Sequence, residues 1–506
     1  MITINGCGQA GTYEYKGLST DVKPADCAVN SLFLELDTGY FFYFDGTNWV
    51  KMKSGDGYSS FKALISRTIT EITPEMTKGI TRIYTHAFRG CSQLTKASVS
   101  EGVTSIGEFA FYYCSILSDL TLPEGLTTIG NCAFEGCHSL ADLNLKSGLR
   151  YIGDFAFKNS GLNEITIPNG TLTIGKWAFE GCDIAQSLSL PNSLNTIGEG
   201  AFKNCKRIDK ISIPNVIRRI ERETFFHCEA AKSLYIPTFP EPEFPHMPVA
   251  NLNYVGVSAF SGCHSLGNIN IPNGVENLEI HAFEECSSAE TLSLPHTLTN
   301  LGDFCFANCS ALKTKVTIPS SLSGYMAWHG YSFSGCTSLV EVYIEDGVSR
   351  IGDGTFKGCT SLQNINFPRS LGEATYAGNI GDHAFENCTS LRRITVGTGV
   401  RHIGESAFEG CSNLGTVDLP STISNNTDIL GIGSRAFYYK GLSEIKIYAT
   451  FPPSIGKEAF LIWTEHNPVG PLPLKSSPDI KVPHNSVQAY KDASAWDPYK
   501  DRIQSM

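Results

Sequence analysis

The sequence contains no uninterrupted run of eighteen apolar residues, so it predicts no membrane-spanning helix. Residues 1–8 have neither the basic region nor the apolar region of a secretory signal, and we therefore expect no signal peptide. Acidic and basic residues are interspersed and the net charge is −11, whereas nucleic-acid binders concentrate lysine and arginine on one face. These features argue against a membrane span and against a nucleic-acid partner.

The sequence also lacks the short motifs that mark common catalytic sites. It contains no G-x-S-x-G elbow, no H-E-x-x-H helix and no phosphate-binding loop. Aspartate and glutamate are scattered over variable positions, as expected of a solvated surface. We therefore predict a protein that is not an enzyme, with no catalytic residue, no cofactor and no metal site.

One unit recurs through most of the chain, and it centres on a phenylalanine that follows a small residue. Ten of the fifteen spacings between successive phenylalanines are 23 residues. The unit reads I-G-x-x-A-F-x-x-C-x-x-L-x-x-I-x-I-P, as in residues 106–123. The sixteen phenylalanines are Phe88, Phe111, Phe134, Phe157, Phe179, Phe202, Phe225, Phe260, Phe283, Phe306, Phe333, Phe356, Phe385, Phe408, Phe437 and Phe460.

The unit predicts one coil of a solenoid. Its alternating L-x-x-I-x-I segment suits a short first strand that the proline ends, and a second apolar segment then leads into a helical or irregular corner with the Ala-Phe pair. One coil cannot bury its own apolar side, so the coils must stack into a continuous core. We expect a β-rich leucine-rich-repeat solenoid of about 16 coils of roughly 23 residues.

We divide the chain into four parts. Residues 1–52 form a small β module, residues 53–79 a linker and N-terminal cap, residues 80–463 the solenoid and residues 464–506 a C-terminal cap.

The repeat resembles the BspA-type leucine-rich repeat, and the unit is complete in residues 259–272. The resemblance implies a leucine-rich-repeat fold and a role like that of surface adhesins of bacteria and some parasitic protists, which bind host or matrix proteins. Residues 480–491, with Trp496 and Tyr499, are similar to the closing segment of such proteins. We expect them to form a strand and a short helix over the last coil.

Residues 1–52 do not show the repeat. Alternation in residues 31–36 and a second run in residues 40–44 predict strands, with turns at Asp37-Thr38-Gly39 and at Asp45-Gly46. Residues 13–21, with the D-T-G and D-G turns downstream, resemble the leading module of some gut bacteriophage structural proteins. That resemblance implies attachment to other virion proteins through this module.

Thirteen of the seventeen cysteines stand three residues after a repeat phenylalanine and form one ladder. We interpret them as small buried thiols that line the corner of each coil. Zinc is a weaker alternative because one cysteine per coil does not give the usual C-x-x-C pairs. Ser160, Lys440 and Trp463 replace ladder cysteines without paired losses, which argues against disulfides there, while pairing of Cys7 with Cys27 stays open.

Insertions of twelve, four, six and six residues precede Phe260, Phe333, Phe385 and Phe437, each between the proline and the second strand. One register of a solenoid is one edge, so the insertions should line a single ridge that binds ligand through loop aromatics. The alternative is that these side chains only pack back onto neighbouring coils. The candidate contact residues are Phe239, Phe244, His246, Tyr254, Tyr325, Trp328, His329 and Tyr376.

Two functions fit these features. The first is a bacteriophage virion surface protein that binds a protein or glycan on a cell surface, which would explain the absent signal and the reduced cysteines together. The alternative is a cellular BspA-like surface adhesin or protein-interaction scaffold, at the cell surface or in the cytoplasm.

Overall fold

The computed structural model describes the strands within residues 2–51 together with Lys23, Thr47 and Asn48, and then most of the chain from residue 69 onward. The later ranges are 69–184, 188–237, 252–323, 330–371, 380–423, 431–439, 441–460 and 478–506. The chain forms two compact units. The first unit comprises residues 1–217 and 221–231, and the second comprises residues 218–220 and 232–506.

A five-stranded sheet lies at the start of the first unit, with its strands in chain order across the sheet. They are β1 Ile2–Ile4, β2 Glu14–Gly17, β3 Leu32–Glu35, β4 Phe41–Phe44 and β5 Trp49–Lys51. β4 pairs antiparallel with both β3 and β5, so the strand pair predicted around Asp37 is present, and a further strand, which the sequence did not predict, follows Asp45. β2 and β3 run parallel, which the sequence did not predict.

Seven coils of the first unit follow this sheet. Their strands are β6 Glu71–Ile72, β7 Arg82–Ile83, β8 Lys96–Ser98, β9 Ser105–Ile106, β10 Asp119–Thr121, β11 Thr128–Ile129, β12 Tyr151–Ile152, β13 Thr173–Ile174, β14 Leu188–Ser189, β15 Thr196–Ile197 and β16 Lys210–Ser212. A 3-10 turn, Pro74–Thr77, lies between β6 and β7.

The second strands of the first unit, β7, β9, β11, β12, β13 and β15, form one six-stranded parallel sheet. Equivalent residues of successive coils stand opposite each other, for example Ile106, Ile129 and Ile152. The first strands form a shorter ladder of β6, β8 and β10. Beyond it, Asp142 and Glu164 are joined only by an isolated bridge.

Nine coils form the second unit. Their strands are β17 Arg219–Ile220, β18 Ser233–Tyr235, β19 Tyr254–Val255, β20 Asn268–Asn270, β21 Asn277–Leu278, β22 Thr291–Ser293, β23 Asn300–Leu301, β24 Val316–Ile318, β25 Glu341–Ile344, β26 Asn364–Ile365, β27 Arg393–Thr395, β28 Thr416–Leu419, β29 Glu444–Ile447, β30 Asp479–Val482 and β31 Ile503–Ser505. With seven coils in one unit and nine in the other, the predicted solenoid of about 16 coils is confirmed.

The second strands of the second unit form the parallel sheet β17-β19-β21-β23. Isolated bridges then continue the same register through Ile351, Ile380, Ile403, Ile432 and Ile455. The first strands form the parallel sheets β20-β22, β24-β25-β26 and β27 to β31. Nine prolines at the ends of first-strand segments, four in the first unit and five in the second, each close a turn, since the carbonyl accepts the N–H three residues on, as with Pro272 and Val275.

The third side of each coil is the Phe corner, the five residues centred on the repeat phenylalanine. Its first and last residues are left-handed, for example Phe109 at φ 53° and Tyr113 at φ 55°. Between them the backbone alternates its partners: Phe111 N–H donates to Ala133 in the next coil at 2.8 Å, whereas Tyr112 N–H donates to Phe109 in its own coil at 3.3 Å. Of the two predicted forms, the corner is therefore irregular rather than helical.

The core is built on stacked phenylalanine rings. Successive repeat rings lie 5.1 to 5.6 Å apart in the first unit and 5.0 to 5.7 Å apart in the second, between ring centroids. Leucine, isoleucine and valine of the strands complete the buried interior. Full burial of one such ring contributes about 1.5–3 kcal/mol.

Residues 478–506 at the end of the chain pack against the last coil. β30 leads into a 3-10 turn (His484–Ser486), helix α1 (Val487–Asp492), a 3-10 segment (Ser494–Arg502) and β31. The Trp496 ring lies 5.9 Å from that of Phe460 and its Nε1–H donates to the Pro453 carbonyl at 2.9 Å. Tyr490 Oη–H likewise donates to the Ala449 carbonyl, so both buried polar groups are satisfied.

Candidate ligand-binding surface

The four insertions belong to the second unit and leave each coil at the same point. Three of them follow the turn that closes a first strand, after residues 322, 371 and 423, and the first follows Pro237, just after β18. After the first insertion, Val255 pairs with Ile220, and after the last two, Ile380 pairs with Ile351 and Ile432 with Ile403. The register of the second strands is thus kept across these insertions, which places their ends along one edge of the second unit.

The insertions do not disturb the core beneath them. The Phe306 and Phe333 ring centroids are 5.4 Å apart across the second insertion, and those of Phe356 and Phe385 are 5.4 Å apart across the third. Uninterrupted neighbours in this unit show the same separations, such as 5.1 Å between Phe260 and Phe283. The stacking of the described rings is therefore the same across these two insertions as between uninterrupted coils.

Of the eight candidate contact residues, Tyr254 lies among the described residues. It begins β19 and is half-buried, and the guanidinium of Arg219 lies 3.7 Å from its ring centroid. One face of this ring therefore packs against the preceding coil, as in the alternative of back-packing. The other seven, Phe239, Phe244, His246, Tyr325, Trp328, His329 and Tyr376, lie outside the described residues, and their role stays a prediction.

A column of half-buried aromatic residues on the Phe corners was missed by the sequence analysis. It occupies the left-handed position two residues before the repeat phenylalanine, where Phe155 stacks on Trp177 at 5.0 Å. His281, Phe304 and Tyr331 form a longer stack at 5.2 and 5.0 Å. The recurrence of aromatics at that offset was the available signal. Because these rings stack mainly on one another, they stabilise the corner.

The thirteen ladder cysteines are buried free thiols, as interpreted from the sequence. They are Cys91, Cys114, Cys137, Cys182, Cys205, Cys228, Cys263, Cys286, Cys309, Cys336, Cys359, Cys388 and Cys411. In eleven of them Sγ–H donates to the carbonyl of the repeat phenylalanine in the preceding coil, at 3.1 to 3.4 Å. Each of these thiols therefore also links two coils.

Burial makes these thiols unreactive. Desolvation raises the pKa of Cys137, Cys182 and Cys359 to about 12, so almost none of each is thiolate at neutral pH. Cys7 and Cys27 lie outside the described residues.

Within the ranges that the structure covers, no three His, Cys, Asp or Glu side chains are grouped to hold a metal ion. The same ranges contain no helix that is long and apolar enough to span a membrane.

Similar structures come from several bacteria. A leucine-rich repeat protein from Bacteroides ovatus is 25% identical, with a TM-score of 0.57, and the match covers 86% of this chain and 91% of that one. A leucine rich cell surface protein from Faecalibacterium prausnitzii is 20% identical over 80% of this chain and 91% of its own, with a TM-score of 0.35. A leucine-rich repeat protein from Eubacterium ventriosum is 22% identical over 71% and 87%, with a TM-score of 0.39. No curated protein matches the sequence.

The repeat itself matches the family model described as the BspA type leucine rich repeat region. The matches cover residues 59–185, 152–241, 243–327 and 326–464, which together form most of the chain. The family is typical of non-enzymatic interaction scaffolds, and its repeat agrees with the stacked rings and the cysteine ladder. The chain therefore belongs to the BspA-type leucine-rich-repeat family.

Proposed function

We propose that this protein is a non-enzymatic adhesion or receptor-binding protein that recognises a protein or glycan on a cell surface. The observation that carries the proposal is the alignment of the insertions along one edge of the second unit over an undisturbed core. A rigid scaffold with variable loops on one edge is the usual arrangement of a binding protein. The family and the similar fold of the Bacteroides ovatus protein agree with such a role.

The aromatic residues of the insertions are the proposed contacts. Tyrosine, tryptophan and phenylalanine bury a large area with few rotatable bonds, so they dominate the energy of many interfaces. Phe244 and Trp328 belong to two different insertions on the same edge. One ligand that spans several coils would contact both.

The test is adhesion of the purified full chain to bacterial and host cells. We expect the double variant F244A/W328A to lose binding while its circular dichroism spectrum is unchanged. Tyr151→Ala is the matched control, since Tyr151 is 49% exposed on a second strand of the first unit. If F244A/W328A binds cells as well as the control, the ridge is not the binding surface.

A narrower form of the proposal places the protein on the surface of a bacteriophage virion. It rests on the resemblance of residues 1–52 to leading modules of phage structural proteins and would explain why thirteen thiols are reduced in a binding protein. Immunogold labelling of phage particles with an antibody to the chain tests it. Labelling that is lost when residues 1–52 are deleted would support attachment through that module.

The competing form is a cellular adhesin or interaction scaffold at the cell surface or in the cytoplasm. The BspA-type family favours this form, because the similar structures are bacterial leucine-rich-repeat proteins. Labelling of bacterial cells, with none on phage particles, would decide for it.

A further inference from the structure

The outward side of the first strands β20 to β26 in the second unit is nearly free of net charge. We call this surface the neutral face and define it by the exposed residues Asn268, Asn270, Ser293, Thr317, Tyr343 and Asn364. Five of the six are amides or hydroxyls, and the sixth is a tyrosine. In a strand such side chains stand out from the sheet on a fixed backbone, with neighbouring strands about 4.8 Å apart.

The next first-strand sheet of the same unit, β27 to β31, has a different outward surface. Arg393 pairs there with Asp418 at 2.7 Å, Lys481 with Glu444 at 2.7 Å and Arg502 with Asp479 at 3.2 Å. The outward side chains of this unit thus change from mainly uncharged groups on β20 to β26 to ion pairs on β27 to β31. Because the fold is the same in both sheets, the repeat does not impose this difference.

Charged residues beside the neutral face cancel in pairs. Lys315 lies 3.0 Å from Glu341, and Lys313 lies 2.7 Å from Glu290. These exposed pairs leave little field to attract a charged ligand, since steering requires an excess of one sign. The face therefore suits an uncharged partner.

The polar side chains of the neutral face have unused hydrogen-bonding capacity. Thr291 Oγ1–H donates to Asn268 Oδ1 at 2.7 Å. This bond fixes the Asn268 amide and leaves its NH2 group available to a ligand. Within the part of the chain that the structure describes, the side chains of Asn270, Ser293, Thr317 and Asn364 make no hydrogen bond. Several donors and acceptors are thus available in a rigid array.

Tyr343 supplies the one large apolar surface in this array. It is 43% exposed, and the Lys315 ammonium lies 4.7 Å from its ring centroid, which holds the ring in place. A protein interface core usually contains several aromatic or aliphatic anchors, whereas Tyr343 is the single ring of the neutral face, and Thr317 stands opposite it on β24. A sugar matches that composition, because it offers one C–H face to a ring and hydroxyls to the surrounding polar groups.

We propose that the neutral face binds an uncharged glycan, with a sugar ring against Tyr343 and its hydroxyls bonded to the amides and hydroxyls of the neighbouring strands. This inference rests on the proposed function of cell-surface binding and names a ligand class for it. It uses a surface other than the insertion ridge, so the two can be tested separately.

The experiment measures binding of the full chain to maltoheptaose, mannohexaose and chitohexaose, with heparin as the charged comparison. We expect at least one neutral oligosaccharide to bind, with little change in affinity between about 50 and 500 mM salt because no charge is involved. Tyr343→Ala should weaken that binding by about tenfold or more. Tyr343→Phe should retain most of it, because the ring is kept.

Tyr151→Ala serves again as the control, since Tyr151 is exposed to a similar extent in the first unit. Absence of binding to all three neutral sugars, binding to heparin alone, or unchanged affinity in Tyr343→Ala would each overturn the glycan inference. If the wild type fails with the sugars but still adheres to cells through Phe244 and Trp328, the glycan inference falls and the proposed function stands. If adhesion also fails, both fall.

Discussion

The two units have the same core and differ in their edges. In the first unit the phenylalanines are 22 or 23 residues apart, whereas all four insertions lie in the second unit. Ring separations nevertheless reach 5.6 Å in one unit and 5.7 Å in the other. The comparison teaches that coil length and core packing are independent in this fold, provided that additional residues enter at one place.

The backbone explains why that place is the proline turn. In the Phe corner, alternate N–H groups donate to the next coil, as Phe385 does to Ala407 at 2.7 Å and Asn387 does to Glu409 at 2.7 Å. An added residue there would shift the donors out of register and leave buried groups unpaired. The edge between proline and second strand has fewer such links, so a loop can leave and return without that loss.

The largest expected effect is a loss of stability at high pH, and it tests the cysteine ladder, which both units share. The cysteine ladder has six thiols in the first unit and seven in the second. Burial raises the pKa of Cys137, Cys182 and Cys359 to about 12 from an ordinary value of 9.0, so the folded state holds protons that the unfolded state releases. The stabilisation is complete below about pH 9 and is lost as pH rises toward 12, at about 1.4 kcal/mol per pH unit for each such thiol.

Urea unfolding followed by circular dichroism at pH 8, 9, 10 and 11 measures this loss. We expect the midpoint to fall steeply above pH 9, and both units to be affected because thiols lie in both. A midpoint that stays constant to pH 11 would contradict the assignment of the ladder as buried protonated thiols.

A smaller effect compares one core ring in each unit. Phe157 lies 5.3 Å from both Phe134 and Phe179, and Phe385 follows an insertion and lies 5.4 Å from Phe356. Replacing either by alanine should cost about 3–5 kcal/mol in free energy of unfolding, because each leaves a cavity in the stack. Chemical denaturation of both variants provides the measurement. A clearly smaller cost at Phe385 would show that the insertion loosens its coil.

The smallest effect concerns the glycine that follows most second strands. A Cβ on Gly175 in the first unit, or on Gly404 in the second, would come within 2.5 Å of backbone nitrogen in the preceding coil. Alanine at either position should therefore destabilise by about 1–3 kcal/mol, through forced separation of the coils. Gly267→Ala is the control, since its nearest neighbour would be 3.8 Å away. Equal thermal stability of Gly404→Ala and Gly267→Ala would refute this close approach.

Much of the fold could be predicted from the sequence because each coil places the same residue types at the same positions. The phenylalanine spacing predicted the stacked rings, and the cysteine at a constant offset predicted buried thiols. Tyr84 shows the limit of the pattern: it takes the glycine position in the first coil, whereas later coils with a neighbour before them mostly carry glycine. This exception in the first coil follows from the stacking of coils and not from the backbone preference of the residue.

The Phe corner was harder to predict. Its left-handed residues include Phe109, Trp177 and Glu223, which favour no such backbone by themselves. Hydrogen bonds to adjacent coils impose the left-handed conformation. The only sequence signal for it was the frequent Gly or Asn two residues after the phenylalanine, as at Gly136 and Asn159. Candidate contact residues were harder still to predict, because loop aromatics follow no periodic rule and Tyr254 packs on Arg219.

The alternating donors of the Phe corner bear on how such a protein changes over generations. Each internal coil offers the preceding coil a row of carbonyls like the row that it uses in the following coil, as Ala110, Ala133 and Ala156 do in succession. An in-frame duplication or loss of one whole repeat would therefore join matching surfaces. Repeat number can therefore change by recombination while the residues inserted at the edge change independently, so the number of coils and the chemistry of the edge are inherited as separate traits.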